Sequence, residues 1–288
     1  MRIRRVGRTF AGVAASLVVL AGMGWATARP VPTSAASTPA VSKAPAKKGV
    51  DAWAFTGVKT ALARSGATWY LDWSTSPDGI TAPADVHFVP MIWGADYVTA
   101  KDLSEAEHYG PYLLTFNEPD MRGQADMTVA KALALWPKLQ ATGLQLASPA
   151  VAYDAATPGG WLDQFMQGAA AKHYRVNFIA LHWYGSDFKT SDAVAQLRSY
   201  LVAVHKQYPT KPIWLTEYSL INFGNGPKYP SGAQQAAFVS ASISMLDGLP
   251  YLARFAWFAL PTAGAQSTGL YAPGAVATAA GRVFSKAP

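Results

Sequence analysis

From about residue 50 to the last residue, short apolar runs alternate with amphipathic helical patterns at a spacing of roughly thirty residues. No other feature limits the fold so tightly. A helix between two strands carries the chain back across a sheet, so successive strands pair in parallel and are covered on both faces. Eight strands are predicted: Asp51–Phe55, Thr68–Trp73, His87–Ile92, Tyr112–Asn117, Leu144–Ser148, Val176–His182, Pro212–Thr216 and Leu252–Phe258. The clearest helix is Asp126–Thr142, whose Val129, Leu133, Leu135, Trp136 and Leu139 supply the apolar pattern and which Gly143 stops. Pro137 is expected to kink or split it. Further helices are predicted at Trp161–Ala171, Ser191–Gln207, Gln234–Leu246 and near Val276–Phe284. Eight such units in residues 50–288 predict an α/β fold of a single (β/α)8 TIM barrel, which typically takes about 250 residues. A doubly wound open sheet is the rival, but no glycine-rich phosphate loop follows the first strand.

The sequence ahead of this pattern has a different character. Residues 1–28 read as an export signal peptide: Arg2, Arg4, Arg5 and Arg8 make a basic start, Phe10 to Met23 is apolar, and Ala26-Thr27-Ala28 has the small-x-small form of a cleavage site. The apolar stretch is short for a membrane span, so a secreted protein with no stable membrane insertion after cleavage is expected. An uncleaved N-terminal anchor is the alternative. Residues 29–49, mostly Ala, Pro, Ser, Thr and Lys, read as a disordered spacer, leaving 50–288 as the folded domain.

The formal charge of +7 belongs to that leader. Eight of the 24 Lys and Arg precede Val50, which leaves 16 against 17 Asp and Glu in the domain. A near-neutral domain with no basic patch interleaved with aromatics does not predict nucleic-acid binding, and it suits a neutral ligand. Cysteine is absent, so the exported domain must rest on its core alone. The five histidines lack paired helical spacing and no Gly-x-Ser-x-Gly elbow occurs, so neither a metal site nor a serine hydrolase is predicted. No cofactor is expected, and the domain should act as a monomer.

The chain contains four glutamates. Glu105 and Glu107 fall in a solvated helical turn opened by Ser104; the other two end strands. Leu113-Leu114-Thr115-Phe116-Asn117-Glu118-Pro119-Asp120 is an apolar run that stops in polar residues, and Pro119 disfavours helical backbone before it, so Glu118 is expected to stay extended. Pro212-Ile213-Trp214-Leu215-Thr216-Glu217-Tyr218 repeats the pattern. Two carboxylates at the ends of two strands are the minimum equipment for cleaving a glycosidic bond. The competing reading makes each a structural carboxylate paired with a nearby Arg or Lys.

In a barrel, function belongs at the carboxyl ends of the strands. Asp72-Trp73, Trp93-Gly94, Asn117-Glu118, His182-Trp183-Tyr184-Gly185, Glu217-Tyr218 and Trp257 gather there. Phe116-Asn117-Glu118-Pro119-Asp120, the run from Phe88 to Gly94, His182-Trp183-Tyr184 and Trp214-Leu215-Thr216-Glu217, in this order, resemble the catalytic domain of glycoside hydrolase family 128, secreted barrels that act on β-1,3-glucan. The resemblance covers most of residues 50–288. It implies a retaining, endo-acting β-1,3-glucanase in which Glu118 is the general acid/base, Glu217 the nucleophile, and Asn117 a partner of the sugar 2-hydroxyl. General chemistry fits that division. Repulsion between adjacent carboxylates keeps one protonated, and esterifying the other to the sugar removes the repulsion, so one residue can serve as acid and then as base. Met121 to Asp126 and Asn222 to Pro230 do not align with the family, and those loops would shape the sugar subsites.

Tyr184 is expected to orient Glu217 by donating a hydrogen bond, the alternative being a satisfied core polar residue. His182 reads equally as a wall of the site or as a satisfied core residue, and Asn117 also fits a turn side chain. Trp73, Trp93, Trp183 and Trp257 are expected as platforms for a polysaccharide, although any one of them alone also fits packing. Trp69, Trp136, Trp161 and Trp214 fall inside elements and are assigned to packing. Asp72 and Asp120 are candidates for polar contacts in the cleft. The same mechanism on xylan or mannan is the rival within enzymes; a wall-binding barrel without chemistry is the rival outside them.

Overall fold

In the computed structural model, which describes residues 47–264 and 267–288, nine strands carry the architecture: β1 (Lys48–Asp51), β2 (Trp69–Leu71), β3 (His87–Phe88), β4 (Met91–Ile92), β5 (Tyr112–Asn117), β6 (Gln145–Ala150), β7 (Ile179–Gly185), β8 (Ile213–Leu220) and β9 (Leu252–Trp257). All pairings among them are parallel. One sheet runs β3-β2-β1-β9-β8-β7 and a second β4-β5-β6, with parallel bridges Ala147↔Phe178 and Val151↔Leu181 tying β6 to β7. The helices are α1 (Val58–Ser65), α2 (Ala100–Ala106), α3 (Val129–Gln140), α4 (Trp161–Ala171), α5 (Thr190–Gln207), α6 (Gly232–Asp247) and α7 (Ala279–Phe284). A short antiparallel pair, β10 (Tyr271–Ala272) and β11 (Val276–Ala277), precedes α7. The fold is therefore α/β with parallel sheets. None of the helices among the described residues is long and apolar enough to cross a membrane. The predicted signal peptide and nearly all of the predicted spacer lie outside the described residues.

Two connections depart from regular strand-helix units. Residues 72–86 contain no helix among the described residues; the Asp72 carboxylate accepts from the Ser74 and Asp78 amides and folds this segment into turns. The predicted strand His87–Ile92 is broken into β3 and β4 around Val89 and Pro90, because Pro90 has no N–H to give a ladder. Pro137, by contrast, neither splits nor ends α3, which runs through it. That helix starts at Val129 rather than Asp126 because the Thr128 hydroxyl accepts from the Lys131 amide at 3.2 Å and caps it. α6 opens on a capping box between Ser231 and Gln234.

β1 spans Lys48–Asp51 instead of Asp51–Phe55, so the folded chain reaches into the predicted spacer. A lysine disguises this strand. The Lys48 ammonium is buried, donates to the Phe284 carbonyl at 3.1 Å and lies 5.1 Å from the Phe284 ring, while Lys47 donates to the carbonyls of Asp247 and Leu249 at 3.0 and 2.9 Å. Gly49 lets the Trp69 indole lie flat on the strand: a Cβ there would stand 2.2 Å from Trp69 Cε2. Gly49→Ala should accordingly destabilise the protein by about 1–3 kcal/mol, read as a lowered midpoint in urea with an unchanged m-value. An unchanged midpoint would mean that Trp69 is free to move.

Two apolar clusters flank the strands. The larger packs the helices onto one face and includes Leu113, Phe116, Leu181, Leu215 and Tyr218. The smaller lies on the other face, where Trp69, Leu71, Met91, Leu114, Phe178 and Trp214 from both sheets meet. Arg254 lies over this second cluster, 4.3 Å from the Trp214 ring and 4.7 Å from that of Tyr112.

Candidate active site

Irregular register brings the polar residues of β5, β7 and β8 together. Along β8, Trp214 belongs to the smaller cluster, so simple alternation would put Glu217 on the helix-covered face. A bulge intervenes. Leu181 pairs with Leu215 but His182 pairs with Glu217, leaving Thr216 as the extra residue and turning Glu217 to the side of Trp214. The Thr216 hydroxyl donates to the Leu181 carbonyl at 3.1 Å and fixes the bulge. β5 carries shifts between Leu113, Thr115 and Asn117 in the same way.

Glu118 follows β5 with φ of 44°, so it is not extended as predicted. Its amide donates to the Ala150 carbonyl at 2.8 Å while its carbonyl accepts from the Met121 amide at 3.0 Å, and satisfying both bends the backbone into the left-handed region. For a non-glycine residue such a conformation costs of order 1–3 kcal/mol, held here by the bonds on either side.

The acids meet on His182. Its Nδ1 lies 2.9 Å from Glu118 Oε1, and its Nε2 approaches Glu217 Oε1 at 3.3 Å without hydrogen-bond alignment. One oxygen of Glu118, one of Glu217 and a His182 nitrogen all lie within 4.8 Å of one another. Such a donor set is one a divalent cation could use, yet both imidazole nitrogens face carboxylates, which makes His182 a bridge between the acids. Glu217 also receives the Trp73 indole N–H at 2.7 Å and a very short bond from the Tyr184 hydroxyl. Burial, reinforced by the Glu118 charge, pushes Glu217 upward, with His182, Tyr184 and Trp73 opposing; the net shift is up. Burial pulls His182 down, but Glu217, Glu118 and Asp120 outweigh it and hold it above its usual value. Burial and Glu217 keep Tyr184 far above its ordinary range, so it stays a donor.

The other predicted residues divide. Asn117 is at the site: its Nδ2 donates to Gln124 Oε1 at 3.2 Å, and its buried Oδ1 has no partner among the described residues. Trp73 serves as a donor to Glu217 rather than as a bare platform, with its ring against Phe258 at 5.9 Å and Trp53 at 6.5 Å. Trp93 meets Tyr97 edge to face at 6.1 Å and lines a 390 Å³ cavity with Tyr97, Asp126 and Lys131, to whose lining neither Glu118 nor Glu217 contributes. Trp183 and Trp257 are not platforms. Trp183 points to the opposite face from His182 and Tyr184 and stacks on Phe238 at 5.9 Å, whereas Trp257 is fully buried and donates to the Thr268 carbonyl at 2.8 Å. Asp72 and Asp120 organise loops: Asp120 accepts from the Ala152 and Tyr153 amides at 2.8 and 3.2 Å.

Sequence reasoning missed Asp51, Trp53, Gln124, Tyr153, Phe223 and Phe258. Trp53 and Phe258 lie beside Trp73, and Phe223 packs edge-on against Tyr184 at 5.4 Å. Tyr153 and Phe223 are more than half exposed, on the loops after β6 and β8. Large aromatics just past strand ends were the available signal. Tyr184→Phe should lower kcat about 10–100-fold at nearly unchanged KM, since it removes one hydrogen bond to a charged oxygen. Steady-state kinetics on a defined oligosaccharide would check this; a rise confined to KM would assign Tyr184 to substrate binding.

Parallel α/β sheets whose carboxyl halves bring two buried glutamates to one histidine have the equipment of a glycoside hydrolase. The family model of the glycosyl hydrolase catalytic core matches residues 51–284. A subgroup I endo-β-1,3-glucanase of family 128 from Amycolatopsis mediterranei, solved with laminaritriose, is 55% identical, covers 84% of this chain and 99% of its own, and superposes with a TM-score of 0.80. Variants of that enzyme with one or the other of two glutamates replaced were solved with laminari-oligosaccharides. A subgroup II endo-β-1,3-glucanase from Sorangium cellulosum is 27% identical over 84% of this chain and 99% of its own, with a TM-score of 0.71. Alkali-sensitive linkage protein 1 of Schizosaccharomyces pombe is 27% identical over 72% of this chain, which spans 37% of that protein's length. The chain belongs to the glycosyl hydrolase catalytic-core family and, within it, to glycoside hydrolase family 128.

Proposed function

We propose that the protein is a retaining endo-β-1,3-glucanase in which Glu217 is the nucleophile and Glu118 the acid/base. The observation that carries this reading is the Glu118, His182 and Glu217 cluster, in which one oxygen of each glutamate and one imidazole nitrogen lie within 4.8 Å of one another. Carboxyls about 5–5.5 Å apart suit direct attack on the sugar, whereas inversion needs roughly 6.5–9.5 Å to admit a water between them. In the first step Glu217 bonds to the anomeric carbon as the glycosidic C–O bond breaks and Glu118 gives its proton to the departing oxygen. In the second, Glu118 takes a proton from water, the hydroxyl bonds to the anomeric carbon and Glu217 leaves. The Trp73 and Tyr184 donors hold the Glu217 oxygens in place throughout. The laminari-oligosaccharides bound by the Amycolatopsis enzyme support β-1,3-glucan as substrate.

The fold reading is a closed (β/α)8 barrel whose two sheets are arcs of one ring. It is supported by the nearness in sequence of β3 and β4, by the bridges from β6 to β7, and by an enclosed cluster to which β2, β4, β5, β7, β8 and β9 contribute. Secretion, cleavage after residue 28 and action as a monomer complete the proposal, the first two resting on the basic-apolar leader. The test is reducing-end release by the purified protein from β-1,3-glucan, xylan, mannan and mixed-linkage glucan. Release from β-1,3-glucan alone is expected. Release from another polymer would keep the mechanism and discard the substrate; binding without release would leave a carbohydrate-binding protein.

A further inference from the structure

Asp51 is a buried carboxyl beside the site to which the two-step reaction gives no task. It is 0% exposed, and neither carboxyl oxygen has a hydrogen-bond partner among the described residues. Gly49, two residues earlier on β1, faces the Trp69 indole of the smaller cluster, so strand alternation turns Asp51 to that same side, one step nearer the carboxyl ends. The neighbouring strands continue there into Trp73 and Phe258. Trp73 donates to Glu217, and Phe258 packs edge-on against Tyr184 at 5.6 Å. Asp51 thus lies beneath the wall that holds the nucleophile. The titratable groups within electrostatic reach of it are Glu217 on β8 and Tyr184 on β7. Beyond β2, Asp72 is turned into its own loop, and β9 presents Trp257 and Phe258 at this level.

Two carboxyls buried close together do not both ionise readily, and the one with better donors keeps the charge. Glu217 has the Trp73 N–H, the Tyr184 hydroxyl and the nearby imidazole; Asp51 has none of these. We propose that Asp51 is a positioning residue, a carboxylic acid kept protonated beneath the nucleophile so that the single negative charge of this buried pair resides on Glu217. The proposal rests on Glu217 being the nucleophile. Burial first, and then the Glu217 charge, push Asp51 well above the usual aspartate range, the same direction as the geometry. A neutral acid fills the space under Glu217 and leaves the Tyr184 proton to it, where an ionised one would compete for that proton.

Infrared difference spectroscopy of the full chain at neutral pH, wild type against Asp51→Asn, reads the proton directly. Loss of one H/D-sensitive carboxylic-acid C=O band with carboxylate bands unchanged is expected; loss of carboxylate bands would overturn the proposal. This readout is independent of turnover, so it separates failure here from failure of the glucanase assignment. Should Asp51→Asn not fold, Glu217→Gln carries the test: the Asp51 band should titrate at lower pH than in wild type, and an unmoved titration would overturn it. In turnover, Asp51→Ala is expected to lower kcat about tenfold at unchanged KM by opening space beneath Glu217, and Asp51→Asn to recover most of that loss with the acid limb of kcat/KM in place. Equal losses in the two variants, or a lowered acid limb in Asp51→Asn, would overturn it. Stability gives a third readout. The unfolded chain loses this proton near about pH 4, so the stability it contributes is full below that pH and falls as pH rises towards the raised folded value. The midpoint of Asp51→Asn should therefore gain on wild type from acid to neutral pH, and parallel curves would overturn the proposal.

Discussion

Glu217→Gln should yield a folded protein that binds laminari-oligosaccharides and turns them over at least about 10³-fold more slowly than wild type. The amide has the shape of the carboxylate but cannot form an ester with the sugar. It also disturbs its surroundings. The Trp73 N–H and the Tyr184 hydroxyl reach different oxygens of Glu217, and an amide offers only one acceptor oxygen, so the Tyr184 hydroxyl must turn to accept. Stability should not suffer from the lost charge, because burial opposes that charge. With the folded value raised, the stability attached to the Glu217 proton is full below the unfolded value and declines as pH rises through the folded one; the variant should show a flatter profile at neutral pH. Reducing-end assays, calorimetry with laminarihexaose and thermal melts across pH would check the three parts. Turnover within tenfold of wild type would remove Glu217 as nucleophile.

Glu118→Gln should separate the two chemical steps. On glucan the departing sugar needs a proton, so turnover should fall about 10²–10⁴-fold. An aryl glycoside with a very acidic phenol leaves without that proton, so its first step should survive while the second, deprived of a base, stalls. The glycosyl ester on Glu217 should then accumulate, visible as a burst of phenol and as one added glycosyl mass on the peptide containing residue 217. Azide needs no deprotonation and should restore release as the β-glycosyl azide. If both steps slowed alike on the aryl substrate with no azide rescue, Glu118 would be holding the site together through His182, whose Nδ1 it meets at 2.9 Å, rather than moving protons.

The parallel strands and the long helices were legible because they depend on local periodicity. α4 matches its predicted span residue for residue, and β5 runs Tyr112–Asn117 as read. β1 is not legible because a lysine in an Ala-, Pro- and Ser-rich stretch resembles spacer, whereas a distant carbonyl near the end of the chain binds the buried Lys48. Both glutamates were found where an apolar run stops, although Glu217 lies within β8 because that strand continues to Leu220, and their convergence depends on bulges at Thr216 and along β5 that alternation does not show. Trp183 and Trp257 shared the sequence context of Trp73; which side of the strand each faces was decided by register. Asp51 gave no sign, since an aspartate at a strand end usually meets water, whereas this one is fully buried.

Proton NMR of the first reducing sugar released from a laminari-oligosaccharide, recorded faster than mutarotation, addresses the paired glutamates directly. A β-anomer appearing first, with the α-anomer growing in later, is the predicted result: two displacements at one carbon, carried by Glu217 and Glu118. An α-anomer appearing first would mean that a water attacks in a single step, and the assignment of Glu217 as a nucleophile beside Glu118 would be wrong.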